Sequence, residues 1–261
     1  MKLQRTWASI MLVTLFTNCS GPGLEEKGFR VDTSREDGGA DQASGLSPDS
    51  LSFATRPSNV LLTGVPHIRL TTVYKVNHRT DDSSLFIGSN NFHYRYDEHE
   101  GDIRNNWHGH LIPGIEAVFG YNLVNIAHFD VTTGIQKVLY DRPVLIKTLY
   151  YPSFTNDTLN DLRVSRNHFL VTVFDDDTNK DGYINPRDLR RIHLFDVNGL
   201  RLKAPIPENY SVFSSEYDPA NDRMYVFAKL DANSNGTAEE EEPVHIHWID
   251  MKDPLSSGRL Y

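Results

Sequence analysis

The chain has 261 residues, 35 acidic against 26 basic, a net charge of −9 with histidines neutral, and a single cysteine. An acidic balance without a basic cluster argues against nucleic acid or an anionic lipid surface as the main partner. One cysteine excludes an internal disulfide framework. At the N-terminus, Lys2 and Arg5 precede an apolar run from Trp7 to Phe16. That run is too short to cross a bilayer as a helix, so residues 1–19 read as an export signal.

The run ends in Leu15-Phe16-Thr17-Asn18-Cys19, which places the only cysteine directly after the signal. This resembles the bacterial lipoprotein signal, although Asn18 stands where that family carries Gly, Ala or Ser. The resemblance implies that Cys19 is acylated and becomes the mature N-terminus, which would join the protein to the membrane through a lipid. It also implies a place in the bacterial cell envelope, at the outer membrane. The alternative is an ordinary cleaved secretory signal with a leftover thiol, and both readings imply export. Residues 20–57 are rich in Gly, Ser, Asp, Glu and Pro. They carry too few large apolar side chains to offset the entropy of ordering, and read as a disordered tether.

Residues 58–261 number 261 − 57 = 204, enough for one domain with a real core. Their apolar segments are short, rich in Val, Ile, Phe and Tyr, and broken by Gly, Pro, Asn or Asp every eight to twelve residues, which predicts strands and turns. Predicted strands include Ile68-Tyr74, Leu123-Val131, Leu145-Tyr151, Phe169-Phe174, Arg191-Val197 and Met224-Leu230. Long helical periodicity is absent. Between the first two of these strands, residues 93–110 hold His93, Asp97, Glu98, His99, Glu100, Asp102, His108 and His110. Without a metal signature in their spacing they read as a polar loop.

Two stretches superimpose at an offset of 54. Leu170-Val171-Thr172-Val173 falls on Met224-Tyr225-Val226-Phe227, and Ile192-His193-Leu194-Phe195-Asp196 falls on Ile246-His247-Trp248-Ile249-Asp250. Ile126-Ala127-His128-Phe129-Asp130 is an earlier copy of the second strand. Such self-similarity marks a repeat architecture. The turn Asp218-Pro219-Ala220-Asn221-Asp222, the strand after it and the strand ending at Asp250 resemble a blade of the Tol-type periplasmic β-propellers. That resemblance implies an all-β fold of four-stranded antiparallel blades and a binding role. At 40 to 54 residues per unit the chain would hold four to five blades, few for a ring of this kind. A small ring, an incomplete propeller and a twisted sheet sandwich all stay open.

Between the repeated strands lie two acidic loops, 177–188 and 231–242. Calcium takes six to eight oxygens, which a twelve-residue loop supplies from positions 1, 3, 5, 7, 9 and 12 with Gly at 6. In the first loop these positions are Asp177, Asn179, Asp181, the Tyr183 carbonyl, Asn185 and Asp188, with Gly182 at 6 and apolar Ile184 at 8. In the second they are Asp231, Asn233, Asn235, the Thr237 carbonyl, Glu239 and Glu242, with Gly236 at 6 and Ala238 at 8. Both resemble the EF-hand calcium loop. Pro186 and the strand after Asp188 leave no room for an exiting helix, so the expected site is strand-loop-strand. Neutral Asn235, where the first loop has Asp181, predicts weaker binding in the second.

Neither a nucleophile elbow, a phosphate-cradling glycine loop nor a cysteine nucleophile is present. The sequence therefore favours a non-catalytic binding or scaffold role with calcium bound, toward a protein or glycan partner and not nucleic acid. The alternative is a cell-surface glycan-processing hydrolase on a propeller scaffold, for which Glu116, Asp141 and Glu216 are the candidate carboxylates. His245 and His247, two residues apart on one predicted strand, read as a half-exposed face.

Overall fold

The computed structural model describes residues 28–31, 53–78, 85–86, 89–90, 107 and 111–261. Cys19 and all eight polar residues singled out between 93 and 110 lie outside them. Among the described residues every regular element is a strand. In chain order these are β1 (Phe29–Arg30), β2 (Thr55–Leu62), β3 (Ile68–Lys75), β4 (Asn77–His78), β5 (Leu85–Phe86), β6 (Ser89–Asn90), β7 (Ile115–Asp130), β8 (Gln136–Val138) and β9 (Leu145–Pro152). There follow β10 (Thr158–Leu159), β11 (Leu162–Arg163), β12 (His168–Phe174), β13 (Tyr183–Ile184), β14 (Arg191–Asp196), β15 (Tyr210–Asp218), β16 (Arg223–Leu230), β17 (Val244–Asp250) and β18 (Ser257–Arg259).

Three antiparallel meanders organise most of these strands. The first runs β2, β3, the second half of β7, then β8. In the second, β9, β12 and β14 are followed by a short return that bridges Phe195 to Arg201. The third is β15, β16, β17 and β18. In each, the third strand ends in an aspartate that turns the chain toward the fourth. Asp130 accepts the amides of Thr132 and Thr133, Asp196 that of Leu200, and Asp250 those of Lys252 and Asp253. A short acceptor side chain can satisfy turn amides in this way, which is why the same residue recurs there.

The meanders stack face to face, and strict alternation along β12 shows how. Phe169, Val171 and Val173 enter a core shared with Ile68, Leu70 and Ile126 of the first meander, while Leu170 enters a core shared with Met224, Val226 and Ile249 of the third. Because the second meander is buried on both faces, its strands are nearly continuous apolar runs. The first and second are joined. The 16 residues of β7 pair with β9 through their first half and with β3 through their second, so both meanders belong to one 8-stranded sheet.

Two expectations change. Among the described residues there are three antiparallel units instead of four to five like blades, the second built of three strands and a bridge and fused to the first, and neither large sheet closes on itself. The folded part also reaches beyond the boundary expected at residue 58. Strand β2 begins at Thr55, and Phe29, within the stretch read as tether, is buried against Val73, Val124, Phe174 and Ile184 with Phe53 packed beside it.

Candidate metal centres

Both acidic loops join the second strand of a unit to its third, the first between β12 and β14 and the second between β16 and β17. The same short-range bonds shape both. At position 1, one carboxylate accepts the amides of positions 5 and 6: Asp177 takes Asp181 N at 3.0 Å and Gly182 N at 2.9 Å, and Asp231 takes Asn235 N and Gly236 N, each at 3.1 Å. At position 3 the side-chain carbonyl accepts the position 5 amide, at 3.0 Å for Asn179 and 2.9 Å for Asn233. Asp181 and Asn235 each accept the position 7 amide at 2.9 Å.

The loop is closed from position 12. Asp188 accepts Thr178 N at 2.9 Å and Asn185 N at 2.8 Å, and Glu242 accepts Ala232 N at 3.1 Å and Glu239 N at 3.2 Å, so positions 2 and 9 are tied to one carboxylate in both. The backbone follows suit, with positive φ at position 4 (Lys180 and Ser234) and at position 6, where Gly182 has φ 85° and Gly236 has φ 75°. Glycine adopts that conformation without steric cost.

These bonds join Asp177, Asn179, Asp181, Asn185 and Asp188 within the first loop and Asp231, Asn233, Asn235, Glu239 and Glu242 within the second; at position 7 they fix only the amides of Tyr183 and Thr237. Asp188, Asp231 and Glu242 are buried. Burial raises the pKa of the Asp188 carboxyl, and the neighbouring charge of Asp177 adds to the rise against three backbone hydrogen bonds that lower it. Asp177, Asp188, Asp231, Glu239 and Glu242 have no ion-pair partner among the described residues. The one ion pair in either loop is a loose contact of 3.9 Å between exposed Arg187 and Asp181. Amide side chains stand in for a cation instead: Asn185 donates to Asp181, and Asn233 and Asn235 donate to Glu239.

Among the described residues no three His, Cys, Asp or Glu side chains converge as a ready-made metal cluster. Each loop offers carboxylate, amide and backbone oxygens in alternation, without nitrogen or sulfur. That set fits a hard cation of calcium's kind and is unsuited to zinc.

The surroundings of the loops were not legible in the sequence. Ile184, at position 8 of the first loop, pairs with Phe29, and Tyr183 pairs with Arg30, so β1 and β13 form a small ribbon. Val31 N donates to Gly182 O at 2.9 Å. On its other side the first loop touches the second: Thr178 Oγ1 donates to Gly236 O at 2.6 Å and accepts Leu189 N at 2.9 Å.

Sequence reading also missed a buried clamp between the second and third units. Arg166 forks onto Asp222 at 2.9 and 2.8 Å and donates to Met251 O and Pro113 O, while Tyr217 donates to Asp222 at 2.8 Å. Burial raises the Asp222 pKa, but the hydrogen bonds and charge of Arg166, with help from Tyr217, more than offset this and hold it below its ordinary value. The second aspartate of the Asp-Pro-x-x-Asp turn was the available signal.

The other candidates are dispersed. Glu116 is buried in β7, accepting from Tyr151 at 2.7 Å and from Ser153 at 3.3 Å, whereas Asp141 and Glu216 are exposed on other segments. In β17, His245 bonds Tyr210 at 2.8 Å and His247 is buried with its ring 4.8 Å from that of Tyr210. Buried His193 lies between Tyr140 at 3.1 Å and Asp175 at 3.5 Å. Burial pushes its pKa down to about 4 against the pull of Asp175. That neutral imidazole is part of the core.

No protein-family model matches the chain, and no curated protein does. A solved structure of an Agrobacterium tumefaciens protein assigned as TolB aligns over 80% of this chain and 81% of its own, at 10% identity and a TM-score of 0.23. A score that low carries no argument about fold or function.

Proposed function

We propose that this protein is a calcium-binding, lipid-anchored component of the bacterial cell envelope whose propeller-like stack of β-meanders serves a binding or scaffold role. The observation that supports the metal is the correspondence of the two loops. The side chains at positions 1, 3, 5 and 12 accept the same amides at an offset of 54 residues, and five carboxylates in the loops have no cationic partner among the described residues. Turn chemistry alone accounts for Asp, Asn and Gly. It does not account for a buried acid at position 12 of both. Calcium held there would fix two long hairpins whose carboxylates otherwise repel one another. With strands on both sides, each loop lacks the helices that a sensor opens, so the metal's role is rigidity.

Thermal unfolding of the chain in EDTA and in millimolar calcium tests this reading. The midpoint should rise with calcium, by less in Asp231→Ala and least in Asp177→Ala. A midpoint indifferent to calcium would return both loops to ordinary turns. For the anchor, labelled fatty acid should enter the wild-type chain in bacterial cells but not Cys19→Ser; equal labelling would remove the lipid from the proposal.

A further inference from the structure

Where the two loops approach the sheets, two adjoining cavities of about 440 and 230 Å³ meet along Lys147, Arg190, Val212 and Phe213. Their size falls within or near the range of small-ligand sites. What singles them out is the ladder around them. In β9, Thr148 pairs with Thr172 and Ile146 with Val173, which leaves Lys147 as an extra, bulged residue. In β15, Val212 pairs with Ala228 and Ser214 with Phe227, which leaves Phe213 bulged in the same way. In β7 the pairing with β9 breaks between Phe119 and Leu123, and Tyr121 falls in the gap. Bulges re-aim side chains and gather beside binding sites. Here three of them, on three strands, present Tyr121, Lys147 and Phe213 to one cleft.

The cleft also holds a cation that forms no ion pair among the described residues. Arg190 is half-buried, its backbone amide donates to Ser211 Oγ, its backbone carbonyl accepts from Val212 N, and its Nε donates to Val212 O. With Nε engaged, the two terminal nitrogens remain as a flat fork, the shape that matches a carboxylate. Beside it Phe213 is 47% exposed, and Ser211 adds a hydroxyl to the lining.

We propose that this cleft binds a carboxylated sugar, its acid group held by Arg190 beside Lys147, its ring against Phe213 and Tyr121, and its hydroxyls facing Ser211. The inference rests on the binding role proposed above and names its ligand class. Asn179 and Asp188 of the first loop and Thr237 of the second line the same cleft. Calcium in the loops would therefore hold one wall of the sugar site.

The test is calorimetric titration of the calcium-loaded chain with a galacturonic acid trimer, a neutral hexose trimer and sodium sulfate, alongside Arg190→Met, Lys147→Met and Phe213→Ala. Binding of the acidic trimer at least tenfold tighter than the neutral one, weakened at least tenfold by Arg190→Met and severalfold by each of the other two, is the expected result. The variants should keep the wild-type calcium response in thermal unfolding, which establishes that they fold. No binding of the acidic trimer at millimolar concentration, equal binding of the neutral trimer, or sulfate binding as tight as the trimer's would overturn the proposal. So would full affinity in folded Arg190→Met. Acidic-trimer binding that survives in EDTA, in a chain whose midpoint ignores calcium, would support the sugar site while removing calcium from its wall. A calcium response without sugar binding would do the reverse.

Discussion

The two acidic loops agree in almost every internal bond and differ in everything outside. The first is held on both sides, by β1 along Tyr183 and Ile184 and by the second loop through Thr178. In the second, Asn233, Asn235 and Glu239 are exposed, and its Gly236 is pressed against the first. A Cβ there would lie 1.9 Å from the Thr178 carbonyl oxygen, while a Cβ on Gly182, at the same position of the first loop, would meet nothing within 4 Å. Loop conformation is thus a local property that the repeat copies. What each loop is attached to depends on where its unit stands in the stack.

The largest expected effect breaks the attachment between the units that carry the loops. Asp222→Asn leaves Arg166 buried, with 1% of its side chain exposed, and without its counter-charge. It should cost about 3–5 kcal/mol. The pH dependence follows from the same pair. Asp222 has a pKa lowered by folding, so its contribution is present above the ordinary carboxylate range and is lost as pH falls through its depressed folded value. Urea unfolding between pH 7 and pH 2 should therefore show an acid-side loss of stability that is smaller in Asp222→Asn. An unchanged acid limb would show that other carboxylates dominate it.

Next comes the contrast at position 6. Gly236→Ala meets both a positive φ and the backbone of Thr178, and should destabilise by about 3 kcal/mol. Gly182→Ala meets only the positive φ and should cost about 1 kcal/mol. Equal losses in chemical denaturation would mean that the loops do not press on each other.

The smallest effect sharpens the comparison of the metal sites. Asn235→Asp gives the second loop the charge that Asp181 gives the first and keeps an acceptor for the Thr237 amide, but removes the donor to Glu239. Calcium affinity of the second loop should rise about tenfold, with no gain in stability in EDTA. Unchanged affinity in a calcium titration would show that Asn235 does not face the ion.

What the sequence made legible follows the range of the interactions. The loops, the aspartate ending each third strand and the strand positions are fixed by neighbours within a dozen residues, and the expected Arg191-Val197 and Met224-Leu230 coincide with β14 and β16 to within one residue. The fusion of two units through β7 was hidden because the expected strand covered only Leu123-Val131, and nothing local shows that it begins at Ile115 and pairs there with β9. Arg166 and Asp222 are 56 residues apart, and nothing local distinguishes a clamping arginine from a solvated one. Phe29 was hidden for a similar reason. A lone aromatic in a polar stretch looks unable to order it, and its partners lie in strands far along the chain.

That buried Phe29 has a mechanical consequence. Were residue 53 the first fixed point after a lipid on Cys19, the leash would span 53 − 19 = 34 peptide steps, about 115 Å when taut. With Gly28 held against Ile184 and Asn185, it is 28 − 19 = 9 steps, about 30 Å. A lipid at Cys19 would thus keep the first loop, and the cleft it borders, within roughly one bilayer thickness of the membrane surface.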